Sequence, residues 1–131
     1  MALNLGFLPF LKRLEKSALS AVEAEVEWFC VPAGATLFEA GEPADAFYLV
    51  RSGALAAFRT GADGRPELVG HIRAGEPIGE MALVEDRPHS ASVYAMRDSE
   101  LVRLPKRTFD KLTRKHASLM RELARMMLYR L

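Results

Sequence analysis

Between residues 27 and 104, short apolar segments alternate with turns that contain glycine or proline. The turns fall at residues 32–35, 41–45, 52–53, 61–64 and 73–77. The apolar segments are residues 28–31, 36–38, 47–50, 54–59, 68–72, 91–96 and 101–104. Glycine permits the left-handed backbone that tight turns need, and proline cannot continue a central strand. Short strands at this spacing predict a mainly β fold, either a sandwich or a barrel.

Helical patterns flank the β region on both sides. Leu5–Leu11 has helical apolar spacing, and Ser17 is a suitable N-cap for a second helix within residues 1–26. Pro105 suits the first position of a helix, so residues 105–131 are predicted to form C-terminal helices. The apolar positions of these helices are Phe109, Leu112, Leu119, Leu123, Met126 and Met127.

The length of 131 residues suits one domain, residues 1–131. The chain has 18 basic and 17 acidic residues, so it lacks the basic excess of nucleic-acid-binding proteins, and we expect no direct nucleic acid partner. No apolar run approaches the roughly 20 residues that span a bilayer, so we expect no membrane span and a cytoplasmic location. Cys30 is the only cysteine, and its apolar neighbours predict a buried side chain.

Residues 78–93 contain the most informative group of side chains. Gly79 permits a close backbone approach, and residues 80–84 can form one helical turn. The amide groups of Met81 to Leu83 would then lack intrahelical partners, which favours an anion. Ser90 adds a hydroxyl group, whereas the Glu80 carboxylate would repel a phosphate unless it faced a hydroxyl donor such as ribose.

Two stretches resemble a known family. Gly79-Glu80-Met81-Ala82-Leu83 and Pro88-His89-Ser90-Ala91 resemble the two halves of the phosphate-binding cassette of cyclic nucleotide-binding domains. The stretch from Gly41 to Gly53 is similar to an upstream motif of the same family. The family includes the bacterial catabolite activator and the regulatory subunit of the cyclic-AMP-dependent kinase, and the altered cassette resembles that of the patatin-like phospholipase group. This resemblance implies a double-stranded β-helix, a jelly-roll-like β-roll, at residues 27–104 with the cassette at 78–93.

The resemblance also implies roles for individual residues. Glu80 would accept a hydrogen bond from the ribose 2′-hydroxyl, and Ser90 would contact the cyclic phosphate. The backbone amides of Gly79 and Ala82 would face the ligand, and Val69 would belong to an apolar wall. The last helix, near residues 125–129, would approach the base. The implied ligand-binding residues are Gly79, Glu80, Met81, Ala82, Leu83, His89, Ser90 and Ala91.

His89 departs from the family pattern, which has arginine at this position. Unperturbed histidine has a pKa of about 6.5 and is mostly neutral at pH 7. Losing a charged hydrogen bond of roughly 1.5–3 kcal/mol would weaken phosphate binding about ten-fold to over a hundred-fold. Arg87 is an alternative phosphate contact. His89 thus indicates a phosphate site that uses imidazolium, a pocket for another ligand, or a pocket that no longer binds a ligand.

The functional prediction is a regulatory, non-enzymatic domain. It would bind cAMP or cGMP and transmit a conformational change to an effector domain in a longer chain, since the last helix has no glycine stop. The alternative is a degenerate domain for protein interaction, including a homodimer through the C-terminal helix. His71, His89 and His116 lack metal-ligand spacing, so neither a metal, nor another cofactor, nor a cupin-type enzyme is expected.

Overall fold

The computed structural model describes the backbone of residues 11–129, with eight strands and four helices in that range. The strands are β1 (Glu27–Val31), β2 (Thr36–Phe38), β3 (Ala46–Ser52), β4 (Ala54–Thr60), β5 (Pro66–Arg73), β6 (Pro77–Ile78), β7 (Ser92–Ala95) and β8 (Ser99–Pro105). The helices are α1 (Lys16–Glu25), α2 (Glu80–Val84), α3 (Lys106–Lys115) and α4 (Ala117–Tyr129). None of these helices is long and apolar enough to cross a bilayer. Apart from Leu11, the helix predicted at Leu5–Leu11 lies outside the described residues.

The strands form two four-stranded antiparallel sheets. The first sheet has the order β1-β8-β3-β6, and the second has the order β2-β7-β4-β5. The first strand therefore pairs with the last, and the second pairs with the next to last. This nesting of distant strands confirms the predicted jelly-roll-like β-roll between flanking helices.

The β3 strand separates two hydrophobic clusters, because successive side chains of a strand point to opposite faces. Ala46, Tyr48 and Val50 face the second sheet and belong to the core of the sandwich. Phe47 and Leu49 face the helices. Burial on both faces explains why the strand is apolar without interruption from residue 46 to residue 50.

The hydrophobic cluster that contains Phe47 and Leu49, called the helical cluster below, lies on the outer face of the first sheet. The Phe47 ring stacks on the Phe109 ring of α3, with centroids 5.4 Å apart and planes 11° from parallel. Leu123 of α4 and Ala18 of α1 are fully buried in the same cluster. The helices therefore share a continuous core with the sheet, so a movement of α3 would disturb both.

The structure corrects several details of the prediction. Helix α1 begins at Lys16 after Glu15, so Ser17 lies inside the helix and makes no cap. Pro105 ends β8 and precedes α3, which begins one residue later than expected. Cys30 is exposed, because β1 is an edge strand and this side chain points away from the sandwich core. The turn predicted at residues 73–77 is shorter than expected, because Pro77 already pairs with β3.

Candidate ligand-binding site

The cassette begins with a close contact between the backbone of Gly79 and the side-chain ring of His89. Gly79 has φ +78°, and a Cβ atom on it would lie 3.0 Å from Cε1 of His89. Glycine is required there for both reasons, because other residues rarely adopt a positive φ and the buried ring leaves little space. The predicted close approach at Gly79 is confirmed, and the approaching group is His89.

Helix α2 follows directly, at Glu80–Val84, as the sequence predicted. Its first turn places Glu80 and Ala82 in buried positions beside Gly79. The Leu83 side chain points away from this position and packs in the helical cluster. The Leu83 amide donates a hydrogen bond of 3.2 Å to the Gly79 carbonyl. The expectation that the Leu83 amide lacks an intrahelical partner is therefore wrong.

A cavity of about 520 Å³ lies between the cassette and the second sheet. The implied ligand-binding residues line it, with the exceptions of Leu83 and Arg87, and Val69 lines it as well. The cavity is lined by Phe38, Ala57, Val69, Gly70, His71, Ile72, Glu76, Pro77, Ile78, Gly79, Glu80, Met81, Ala82, His89, Ser90, Ala91 and Val93. Most of the lining residues outside the cassette belong to β4 and β5 or to the turn that follows β5. No residue of the described part of α4 lines the cavity, so residues 125–128 do not border it in this structure.

His89 is packed rather than exposed. Its ring is 5% exposed and stacks on Phe38, with centroids 3.6 Å apart and planes 7° from parallel. Burial lowers the pKa of His89 below its ordinary value, although the charges of Asp45 and Glu42 oppose this effect. Burial therefore favours the neutral form of the ring, which forms a flat wall of the cavity.

Backbone hydrogen bonds join the cassette to the upstream motif. The His89 amide donates to the Glu42 carbonyl at 3.0 Å, and the Gly41 amide donates to the His89 carbonyl at 2.9 Å. Asp45 in the same motif accepts a bond of 2.8 Å from the Lys106 amide at the start of α3. The cassette and the upstream motif are therefore neighbours in space, and the upstream motif also contacts the start of α3.

Arginine and lysine side chains near the cassette are engaged outside the cavity. Nε of Arg87 lies 3.2 Å from a carboxylate oxygen of Glu85, and both side chains are largely exposed. Nζ of Lys106 lies 2.6 Å from Asp86 and 3.2 Å from Asp110. Hydrogen bonds to these two carboxylates raise the pKa of Lys106. The ion pair of Lys106 with Asp86 therefore joins the start of α3 to the cassette loop, the turn that follows α2 and contains Asp86. The sequence patterns did not indicate this link.

Asp86 has a left-handed backbone, with φ +54°, which is uncommon for a residue other than glycine. Aspartate and asparagine are the residues that most often tolerate this conformation. The turn presents the Asp86 carboxylate to Lys106.

In the described part of the chain, no group of three or more histidine, cysteine or acidic residues could hold a metal ion.

Comparison with known proteins gives consistent matches. The family model described as "Cyclic nucleotide-binding domain" matches residues 29–116. A lysophospholipase nte1 from Aspergillus terreus is 29% identical over 130 residues, which are 97% of this chain and 8% of that protein. A cAMP-dependent protein kinase regulatory subunit from Aspergillus fumigatus is 36% identical over 105 residues, 80% of this chain and 25% of that protein.

A solved structure shares the fold. The catabolite activator protein of Thermus thermophilus superposes with a TM-score of 0.84 at 29% identity. The superposition covers 93% of this chain and 57% of that chain. In each of these three comparisons the chain spans only a part of the matched protein, namely 8%, 25% and 57% of its length.

Proposed function

Because the chain belongs to the cyclic nucleotide-binding domain family, we propose that it is a regulatory domain that binds cAMP or cGMP in the cassette cavity and signals to an effector. The observation that supports this proposal is the cavity itself. Its volume of about 520 Å³ lies within the usual range for small-molecule sites, and cassette residues form one wall of it. The chain spans 8% of the lysophospholipase relative, so we assign the effector to another part of a longer chain.

Glu80 is the proposed ribose-binding residue. Its carboxylate is 3% exposed and borders the cavity, where a ribose hydroxyl group could donate a hydrogen bond to it. A charge-assisted hydrogen bond of this kind contributes about 1.5–3 kcal/mol. Ser90 is exposed at the cavity and would face the cyclic phosphate, and Val69 and Ile72 would contact the base.

Signal transmission would use the link between the cassette loop and α3. A ligand that binds one position of the cassette more tightly shifts the equilibrium toward it. The Lys106 ion pair with Asp86 would then transfer the movement to α3, and the contact of Phe109 with Phe47 would spread it through the helical cluster. The effector would respond to the position of these helices.

Calorimetric titration at pH 7.5 tests the proposal with cAMP, cGMP and the 2′-deoxy analogue of cAMP. We expect saturable binding by the wild type, at least about ten-fold weaker binding of the 2′-deoxy analogue, and loss of that difference in Glu80→Ala. Glu67→Ala is the matched control, because it makes the same substitution at an exposed residue that does not line the cavity. A thermal melt of each variant establishes that it is folded. Absence of binding by all three ligands at millimolar concentration would refute the proposal.

A second candidate is a domain without ligand that associates through α4. The exposed apolar residues Met120 and Leu128, at 39% and 70%, favour it. A homodimer that forms at micromolar concentration and does not respond to nucleotides, measured by analytical ultracentrifugation, would support this function. For either function we propose the cytoplasmic location that the sequence predicts.

A further inference from the structure

The cassette cavity has no permanently cationic side chain in its lining. Among the lining residues, all of which the structure describes, Glu76 and Glu80 carry carboxyl groups, His71 and His89 carry imidazoles, and lysine and arginine are absent. Glu80 is almost completely buried, at 3% exposed. Carboxyl groups accept hydrogen bonds from hydroxyl and amine groups, and they supply no positive charge to an anionic group.

The histidine at the phosphate position cannot easily supply the positive charge. The flat contact with Phe38, at 3.6 Å between ring centroids, restricts the orientation of the His89 ring. Backbone hydrogen bonds to Gly41 and Glu42 fix the position of the main chain at His89. Burial also lowers its pKa, which disfavours protonation at neutral pH.

The remaining donors near the cassette do not replace the missing charge. Arg87 is paired with Glu85 and lies outside the cavity lining. The amide of Leu83 is bonded to Gly79, so the five-residue helix α2 has fewer free donors than the sequence suggested. A phosphate placed here would lose water without gaining a charged partner.

From this charge distribution we propose that the cavity recognises the uncharged nucleoside part of its ligand, so that an unphosphorylated purine nucleoside binds at least as tightly as the corresponding cyclic nucleotide. The proposal rests on the proposed function, because it uses the same cavity and the same ribose contact with Glu80. The ribose and base supply the affinity, and the phosphate weakens binding or leaves it unchanged. Position 89 is then the residue that determines specificity.

The test is calorimetric titration of the wild type with adenosine, guanosine, cAMP and cGMP at pH 7.5. We expect each nucleoside to bind with a Kd equal to or below that of its cyclic nucleotide. In His89→Arg, the cyclic nucleotides should gain about ten-fold or more in affinity, while the nucleosides change by less than about three-fold. His116→Arg is the control, because it adds the same charge at the end of α3, outside the cavity.

The outcomes separate the two proposals. If the wild type binds cyclic nucleotides about ten-fold more tightly than nucleosides, the specificity proposal is overturned and the proposed function stands. If nucleosides bind and cyclic nucleotides do not, the specificity proposal stands and cAMP or cGMP is the wrong ligand. If none of the four ligands binds, both proposals fail. The wild-type comparison decides these cases even if His89→Arg does not fold.

Discussion

Gly53 lies between β3 and β4, where the backbone passes close to Ser99 of β8. Gly53 has φ +106°, and a Cβ atom on it would lie 2.3 Å from Oγ and 2.6 Å from Cα of Ser99. Carbon atoms that are not bonded to each other normally stay about 3.5–4.0 Å apart, so the strands would have to separate by about 1 Å. Flexible side-chain motion cannot relieve this contact, because one of the two atoms belongs to the backbone. We therefore predict that Gly53→Ala strongly destabilises the fold.

The magnitude follows from three contributions. The left-handed backbone costs an alanine about 1–2 kcal/mol, and Gly34→Ala shares this cost because Gly34 has φ +83°. A Cβ atom on Gly34 would meet nothing within 4 Å, so that variant has no further cost. At Gly53, overpacking adds about 1–3 kcal/mol. Separation of the strands would also weaken the 3.1 Å hydrogen bond from the Ala54 amide to Ser99 Oγ, which adds about 1 kcal/mol.

The expected loss of unfolding free energy is therefore about 3–6 kcal/mol for Gly53→Ala and about 1–2 kcal/mol for Gly34→Ala. Urea denaturation followed by circular dichroism measures both values. If Gly53→Ala is unfolded in buffer, its curve can be completed in an excluded osmolyte such as sucrose, with the other proteins measured in the same solution. A difference between the two variants below about 1 kcal/mol would show that β8 yields easily, and it would refute the steric argument.

Three other predictions concern His89, Arg87 and Cys30. Because burial lowers the pKa of His89, the neutral ring contributes stability that is complete above pH 6.5 and is lost as the pH falls below that value. The wild type should therefore lose more unfolding free energy than His89→Phe between pH 7.5 and pH 5.5. Equal losses in the two proteins would contradict the burial of His89. Arg87→Ala should change stability by less than about 1 kcal/mol and leave nucleotide affinity unchanged in calorimetry, whereas a loss of affinity would place Arg87 at the ligand. Cys30 should react with an aromatic disulfide reagent in the native protein as fast as in urea-unfolded protein to within about ten-fold, and complete native protection would show that it is covered.

The glycine positions explain why the positions of most strands along the chain could be predicted from the sequence. Each turn predicted between residues 32 and 77 contains a glycine with positive φ, namely Gly34, Gly41, Gly53, Gly64 and Gly75. These glycines stand where the chain reverses and other residues would be strained. By contrast, β6 contains only Pro77 and Ile78, and two residues show no periodicity from which a strand could be predicted. The prediction of a buried Cys30 is wrong because the sequence does not reveal which strand lies at the edge of a sheet.

The candidate site was predictable where it is local and unpredictable where it depends on strand pairing. Gly79, Glu80 and Ser90 lie within one short segment, so a sequence pattern could identify them together. Phe38 is distant in sequence, and it reaches His89 because β2 pairs with β7, which begins at the end of the cassette. No periodic signal in β2 indicates that its aromatic side chain, Phe38, will stack on a histidine.

Fold and ligand specificity depend on different parts of residue 89. The bonds that attach the cassette to the upstream motif join the backbone of His89 to the backbones of Gly41 and Glu42. Such bonds form with nearly any side chain, so a change from arginine to histidine leaves the attachment intact. The side chain at this position, however, determines whether the cavity presents a fixed positive charge or a neutral aromatic surface. A chain of this family can therefore keep the β-roll and the link through Lys106 to α3 while its cavity accepts a different class of ligand.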